Sequence, residues 1–224
     1  MTERRLYNNL LALPLFLGMS RKDLQEVAGN TVFDFRKYQD GEIIVQNGAP
    51  CHDLYFLLNG DMTVITDSDD YCYRIEETIS APEIFQPEQI FGLIQRFTHT
   101  YIAKNNCSIM RISKKGVMKL SEDYEICRLN LLNLISTLTQ KTTRRVYRVP
   151  PKTLIERIIR FFELHCFRPA GEKTFYIKMT RLAEELNDSR LDISKALNQM
   201  QAMNLLQLYR GRIYIPALEK LINR

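Results

Sequence analysis

Arg190, Leu191, Ser194 and Lys195 fall on one side of a segment whose other side is apolar. Ile193, Ala196, Leu197 and Met200 recur there at helical spacing and must be buried. A guanidinium, an ammonium, a hydroxyl and one exposed aliphatic group form a set that can read base edges without making a covalent bond. The arginine fork matches guanine O6 and N7, and the leucine can touch a thymine methyl. Ser189 precedes the segment as an N-cap, with Asp192 three residues on, as in a capping box. Further along, Leu206–Pro216 alternates around Arg210-Gly211, which is the pattern of a hairpin. Arg210 and Arg212 would sit at its tip, where cations meet phosphate.

These residues need a scaffold, and the flanking sequence supplies one. Thr180–Leu186 reads as a helix, with Thr180 as N-cap and Leu182, Ala183 and Leu186 as its apolar side. Asn187-Asp188 makes the tight turn, because Asn tolerates a left-handed backbone. Helix, turn, helix and basic hairpin in that order spell a winged helix-turn-helix, whose second helix enters the major groove. Thr180, Ser189, Arg190, Leu191, Ser194, Lys195, Arg210 and Arg212 are thus the expected DNA-facing residues. Charge agrees in sign. Residues 1–148 carry 18 Lys+Arg and 18 Asp+Glu, whereas residues 149–224 carry 13 against 8, so the net +5 lies in the C-terminal part.

Composition excludes several other classes. The five cysteines, Cys51, Cys72, Cys107, Cys127 and Cys166, are scattered and odd in number, which predicts reduced thiols in a cytoplasmic protein. His52, His99 and His165 are too dispersed for a metal centre, and a metal-dependent barrel enzyme would need several clustered histidines. Cys51 and His52 are neighbours and are expected to point apart. Arg4-Arg5 before Leu10–Leu17 imitates a leader peptide, but Pro14 and Asn8-Asn9 interrupt it. A short helix ending near Leu13 and a buried Leu15-Phe16 fit better. No stretch approaches the ~20 apolar residues of a membrane span.

Upstream, Ser20 caps a helix that runs to about Gly29, and from Thr31 the pattern becomes that of strands. Thr31–Tyr38, Glu42–Val45, Leu54–Leu58, Met62–Thr66, Tyr73–Ile79, Tyr101–Lys104 and Ser108–Ile112 are short β-branched or aromatic runs. They predict a barrel or sandwich. The acids of Asp67–Asp70 lack the glycine and distal glutamate of a calcium loop and mark an exposed hairpin turn. A long helix is expected from about Glu122 to Arg148, ended by Pro150-Pro151. Cys127, Leu131, Leu134 and Leu138 form a heptad seam on it for a second copy of the chain. Leu129, Leu132 and Ile135 give a second apolar side that could cover the barrel. The amphipathic helix Lys152–His165 then opens the C-terminal part.

A barrel, a dimer helix and a winged helix, in that order, resemble the CRP/FNR family of bacterial transcription regulators. Asp40–Gly60, punctuated by Gly41, Gly48 and Gly60, is similar to the family's roll, and Leu13–Phe16 with Met19-Ser20 is similar to the approach to it. The resemblance implies an α+β fold: a β-roll over residues 1–121, a dimerisation helix over 122–148 and a winged helix-turn-helix over 149–224. It also implies a nucleotide cradle of pattern Phe-Gly-Glu-Leu, followed by Arg-Ser-Ala. The matching stretch here is Ile90–Ala103. Gly92 fits the glycine, Leu93 replaces the glutamate that holds the ribose, and Phe97 replaces the arginine that pairs with the phosphate. Arg96 is one residue away, Thr98 follows, and Thr142-Thr143 align with nucleotide-facing residues of the long helix. Losing a charge-assisted pair to a buried phosphate costs several kcal/mol, so ordinary cyclic AMP binding is not expected. The N-terminal cysteine cluster of the iron–sulfur branch has no counterpart. The family's Arg-Glu-x-x-x-Arg reads Arg190-Leu191-Asp192-Ile193-Ser194-Lys195 here, so its usual half-site is not assumed.

The sequence therefore describes a homodimeric, non-enzymatic, cytoplasmic regulator that binds double-stranded DNA, with RNA polymerase as a candidate partner. It has no identified cofactor, and an unknown small molecule is the candidate effector. The competing reading is a cyclic-nucleotide-responsive regulator in which Arg96 and Thr142 substitute for the missing anchors.

Overall fold

A computed structural model describes residues 7 and 9–222 of the chain. The backbone divides into two compact units, Met1–Met62 with Ile79–Val146, and Thr63–Thr78 with Tyr147–Arg224. The second unit thus differs from the expected C-terminal domain by taking in sixteen residues from the strand-rich half.

In the first unit, Leu10, Leu13, Leu15 and Phe16 are at most 1% exposed, so the segment that imitates a leader is core. Arg4 and Arg5 lie outside the described residues. Ser20 caps α1 (Arg21–Asn30) by accepting from the Asp23 amide. Four strands form a sheet in the order β1 (Asp34–Tyr38), β8 (Cys107–Ser113), β3 (Asp53–Asn59), β6 (Glu83–Phe85). β8 lies between β1 and β3, with Asp34 opposite Arg111 and Phe56 opposite Met110. β2 (Ile43–Val45) pairs with β7 (Thr100–Ala103), and β4 is Asp61–Asp67. The expected strands stand where the alternation put them; β6 was not expected, because three residues are too few to show a period.

The long helix is shorter than expected. α2 (Lys114–Asp123) ends at Tyr124, whose extended backbone (φ −129°, ψ 106°) interrupts the run, and α3 is Glu125–Val146. The assignment of its faces is also corrected. Cys127 is fully buried within the protomer, its thiol 3.3 Å from the Met19 sulfur, and Leu131 is 7% exposed. The Asn130 amide donates to the carbonyls of Leu15 and Leu17. Cys127 and Leu131 thus cover the protomer's own N-terminal segment, while Leu134 and Leu138 are half-buried. The exposed apolar stripe is Ile126, Leu129 and Leu132, at 37%, 49% and 54% exposure. Counting apolar positions finds two sides but cannot tell which one meets the helix's own chain.

In the second unit, α4 (Leu154–His165) opens with a complete capping box between Thr153 and Glu156. β9 (Lys173–Ile177) leads into α5 (Met179–Leu186), a turn, α6 (Arg190–Ala202), the hairpin β10 (Gln207–Tyr209) and β11 (Arg212–Ile215), and the short α7 (Leu218–Ile222). β11 pairs with β9. The other edge of β9 pairs with β5 (Tyr73–Ser80) from Tyr73↔Ile177 to Glu77↔Lys173. Phe161, Phe162, Phe175, Leu182, Leu197 and Ile213 build one core, and Ile75 of β5 belongs to it.

Candidate nucleic-acid interface and sensory cradle

The turn between α5 and α6 follows from local sequence. Asn187 adopts the left-handed conformation (φ 48°, ψ 55°) and ends α5. Its amide reaches the Glu184 carbonyl, and the Asp188 amide reaches that of Ala183, a Schellman closure. Arg157 on α4 holds the turn from behind, donating to the Leu186 carbonyl and the Asp188 carboxylate. Ser189 caps α6 by accepting from the Asp192 amide. The box is half-formed: the Asp192 carboxylate takes the Ser189 hydroxyl, while the Ser189 amide goes to Asp188. Thr180 does not cap α5. That helix begins one residue earlier, after the extended Lys178, which makes no side-chain cap bond, and Thr180 is exposed in its first turn.

The predicted split of α6 is observed. Ile193, Leu197 and Met200 are fully buried and Ala196 is 7% exposed, whereas Arg190, Leu191 and Lys195 are exposed and Ser194 is half-buried. Leu191, at 65% exposure, has an aliphatic side chain in solvent next to a guanidinium. Lys195 lies 3.3 Å from Asp192, whose carboxyl is held below the usual carboxylate range first by the Ser189 hydroxyl and then by Lys195. So exposed a pair is weak, which leaves the ammonium available to another acceptor. In the hairpin, Arg210 and Gly211 (φ 70°) make the turn, and the Arg212 guanidinium stacks 4.4 Å over the Tyr209 ring. Tyr209, half-exposed, was missed in the sequence; its place opposite Arg212 at the hairpin end is the signal that marks it.

The stretch expected to form a cradle is packed among the protein's own aromatic side chains. Phe97 and Tyr101 are buried, as is Phe85, which stacks 4.4 Å from Tyr101 and 5.8 Å from Tyr55. Phe97 meets Tyr55 edge-on at 5.6 Å. A left-handed corner precedes this stretch. Gln86 ends β6 in the left-handed region (φ 35°), directly before the helical turn Pro87–Gln89, which is where a glycine would be favoured. Gly92 (φ 94°) and Leu93 are instead exposed in the following loop, with Leu93 wholly in solvent. The Gln86 amide donates to the Thr98 hydroxyl, and the Thr98 amide donates back to the Gln86 carbonyl oxygen. Arg96 donates to the Gly48 carbonyl at 2.7 Å and is exposed. Thr142 returns its hydroxyl to the Leu138 carbonyl, and it and Thr143 are exposed. None of the sequence residues proposed for a ligand lines a described cavity; Thr98, named from the sequence, pairs with Gln86, which sequence reasoning missed.

Two further groups matter chemically. Burial holds His99 neutral, lowering its pKa to about 4, and burial raises the Cys51 and Cys127 thiols to about 11. Such thiols are poor nucleophiles and poor metal ligands. Among the described residues no group of three or more His, Cys, Asp and Glu is placed to hold a metal ion. Among them, too, no helix is long and apolar enough to cross a membrane.

Comparison with known proteins bears on the fold. Residues 35–124 match the cyclic nucleotide-binding domain. The chain is similar in structure to the Thermus thermophilus catabolite activator protein, with a TM-score of 0.51 at 16% identity over 94% of this chain and 97% of that one. It is also similar to the sensor domain of the transcriptional regulator DNR from Pseudomonas aeruginosa, at TM-score 0.51 and 19% identity over 68% and 98%. The c-di-GMP-responsive global regulator CLP of Xanthomonas campestris gives TM-score 0.50 and 18% identity over 82% and 94%. No curated protein matches the sequence significantly. Residues 35–124 thus match a cyclic nucleotide-binding domain, and the chain has a fold like that of the catabolite activator protein.

Proposed function

We propose that this protein is a homodimeric, sequence-specific DNA-binding transcription regulator, not an enzyme, and that its roll does not take cyclic AMP in the family's manner. The observation that carries the DNA reading is the exposed N-terminal face of α6, with Arg190, Leu191 and Lys195 presented beside a hairpin bearing Arg210 and Arg212. This supports a winged helix-turn-helix. Charge supports it less than residues 149–224 alone suggest, because Thr63–Thr78 adds five carboxylates and one arginine to the same unit.

Two substitutions separate base reading from phosphate binding. Arg190→Ala is expected to cost about 1–3 kcal/mol and to relax preference at one base pair per half-site. Arg210→Ala is expected to weaken binding to all sequences alike and to lower the salt slope by about one. Electrophoretic or fluorescence titrations over a salt series, on matched and mismatched duplexes, distinguish the two. Equal losses on every sequence for Arg190→Ala would remove α6 as the reading helix.

The reading of the roll rests on Gln86, Phe97 and Thr98. The Gln86 amide uses the amide and hydroxyl of Thr98, which a cyclic phosphate would need, and Phe97 packs apolar surface where an arginine would pair. Calorimetry with cyclic AMP is expected to show nothing tighter than roughly millimolar, about 4 kcal/mol. The competing reading gives the phosphate to Arg96, and a micromolar dissociation constant abolished by Arg96→Ala would establish it instead. An unidentified effector, a cytoplasmic location and contact with RNA polymerase complete the proposal.

A further inference from the structure

α6 and the hairpin after it are each held by a side chain that reaches a main-chain group of another element. Arg157 on α4 is the first. One guanidinium nitrogen donates to the carbonyl of Leu186, the last residue of α5, at 3.0 Å, and another donates to the Asp188 carboxylate. The second oxygen of that carboxylate accepts the Ser189 amide at 2.8 Å, and Ser189 is the cap on which α6 starts. Arg157 therefore bridges the end of one helix and the beginning of the next. The bridge needs a planar fork with several donors; a lysine keeps the charge but offers one compact ammonium. The Arg157 and Asp188 side chains are only 36% and 20% exposed, so solvent and salt screen this pair less than the Asp192–Lys195 pair, at 50% and 67%.

Gln201 is the second. Its main-chain carbonyl accepts the Asn204 amide at 2.8 Å, and its side-chain oxygen accepts the Leu208 amide at 2.7 Å. Between those two bonds the chain turns from α6 into the hairpin. Asn204 supplies the left-handed corner (φ 57°), and the Leu205 amide closes on the Met200 carbonyl at 3.1 Å. Leu208 lies in β10, an edge strand of its sheet. Gln201 thus ties the hairpin to α6 along an edge that has no strand beyond it. Arg210 follows two residues after that tie.

We propose that Arg157 and Gln201 are positioning residues of the DNA-reading surface. Arg157 sets the direction in which α6 presents its first turn, and Gln201 sets where the hairpin stands against α6. Their role in DNA reading rests on the DNA-binding reading above; the bonds themselves do not. The two ties act on different contacts. Asp188 and Ser189 carry the hold of Arg157 to Arg190, whose bidentate match to guanine needs placement within roughly 0.5 Å. Leu208 carries the hold of Gln201 to Arg210 and Arg212, which meet phosphate as cations. Each residue should therefore reproduce the defect of the contact that it positions.

Titrations of the full chain over a salt series, on duplexes matched and mismatched at the base pair read by Arg190, test this together with hydrogen exchange. Arg157→Lys should shrink the preference for the matched duplex about tenfold and leave the salt slope unchanged. Gln201→Met keeps the length of the side chain and removes the acceptor. It should weaken binding to every duplex alike, about threefold or more, and lower the salt slope by about one. Without DNA, exchange should rise at the Ser189 amide in the first variant and at the Leu208 amide in the second, while Lys173–Ile177 keeps its protection in both. The same mixture of lost preference and lost slope in both variants, or exchange rising throughout Leu154–Ile215, would mean general loosening and would overturn the proposal. So would variants that bind with wild-type preference and slope. A wild-type chain that bound no duplex would be a different result, and would remove the DNA-binding reading itself.

Discussion

Leu129→Asp combined with Leu132→Asp is expected to turn a dimer into monomers and to lower affinity for a two-fold DNA site by roughly 10²–10⁴, the avidity of two linked half-sites. The argument is one of coverage. α3 has two apolar sides, and a helix apolar on two sides needs two covers. The protomer supplies one, through Met19 and the carbonyls of Leu15 and Leu17 against Cys127 and Asn130. The stripe Ile126, Leu129 and Leu132 remains in solvent. In the proposed dimer a second copy of the same helix would bury it with the symmetry of a palindromic site. Aspartates at the centre of such an interface would be desolvated without partners. Leu131→Asp provides the contrast: that side chain is 7% exposed inside the protomer, so this change should lower the melting temperature of the protomer itself. Light scattering at micromolar concentration reads both. A wild-type monomer at that concentration, or a Leu129/Leu132 variant that stays dimeric, would refute the assignment of the stripe.

Stability is expected to fall by up to about 3 kcal/mol between pH 6.5 and pH 4, with His99 as a main cause. Burial of this imidazole lowers its pKa to about 4, so the folded chain keeps it neutral where the unfolded chain takes up a proton. The unfolded state then binds more protons throughout that window. The contribution of His99 is therefore complete above about pH 6.5 and is lost as pH falls towards 4, at up to about 1.4 kcal/mol per pH unit. Partial exposure of the ring makes these figures upper bounds. His99→Gln removes the titrating group and should flatten this part of the profile, measured by urea unfolding at several pH values. An unaltered slope in that variant would assign the acid sensitivity to carboxylates such as Asp34 and Asp61, whose pKa values are lowered chiefly by their hydrogen bonds to Arg111 and to Ser80.

What was legible in the sequence was what local rules decide. The left-handed Asn187, the Ser189 cap and the buried side of α6 are set by residues within a turn or two of each other, and each stands as read. Decisions made by distant parts of the chain were not legible. Which apolar side of α3 faces solvent depends on Met19 and Leu15, more than a hundred residues away. β9 hides behind its own composition: it turns a lysine inward at Lys173, where Glu77, far off in sequence, pairs with it. The cradle misled for a related reason. Gly92 invites alignment with the family's glycine, but the corner is turned by Gln86, a residue type that seldom adopts that backbone and holds it here through Thr98.

The central claim, that this chain reads DNA as a two-fold dimer through α6, is tested most directly by selecting duplexes from a randomised library with the wild-type protein and with Arg190→Ala. The account predicts a pseudo-palindrome whose half-site centres lie roughly 34–36 Å apart, with a guanine in each half whose preference disappears in the variant. Recovery of no enriched sequence, or of the same palindrome with Arg190→Ala, would contradict it.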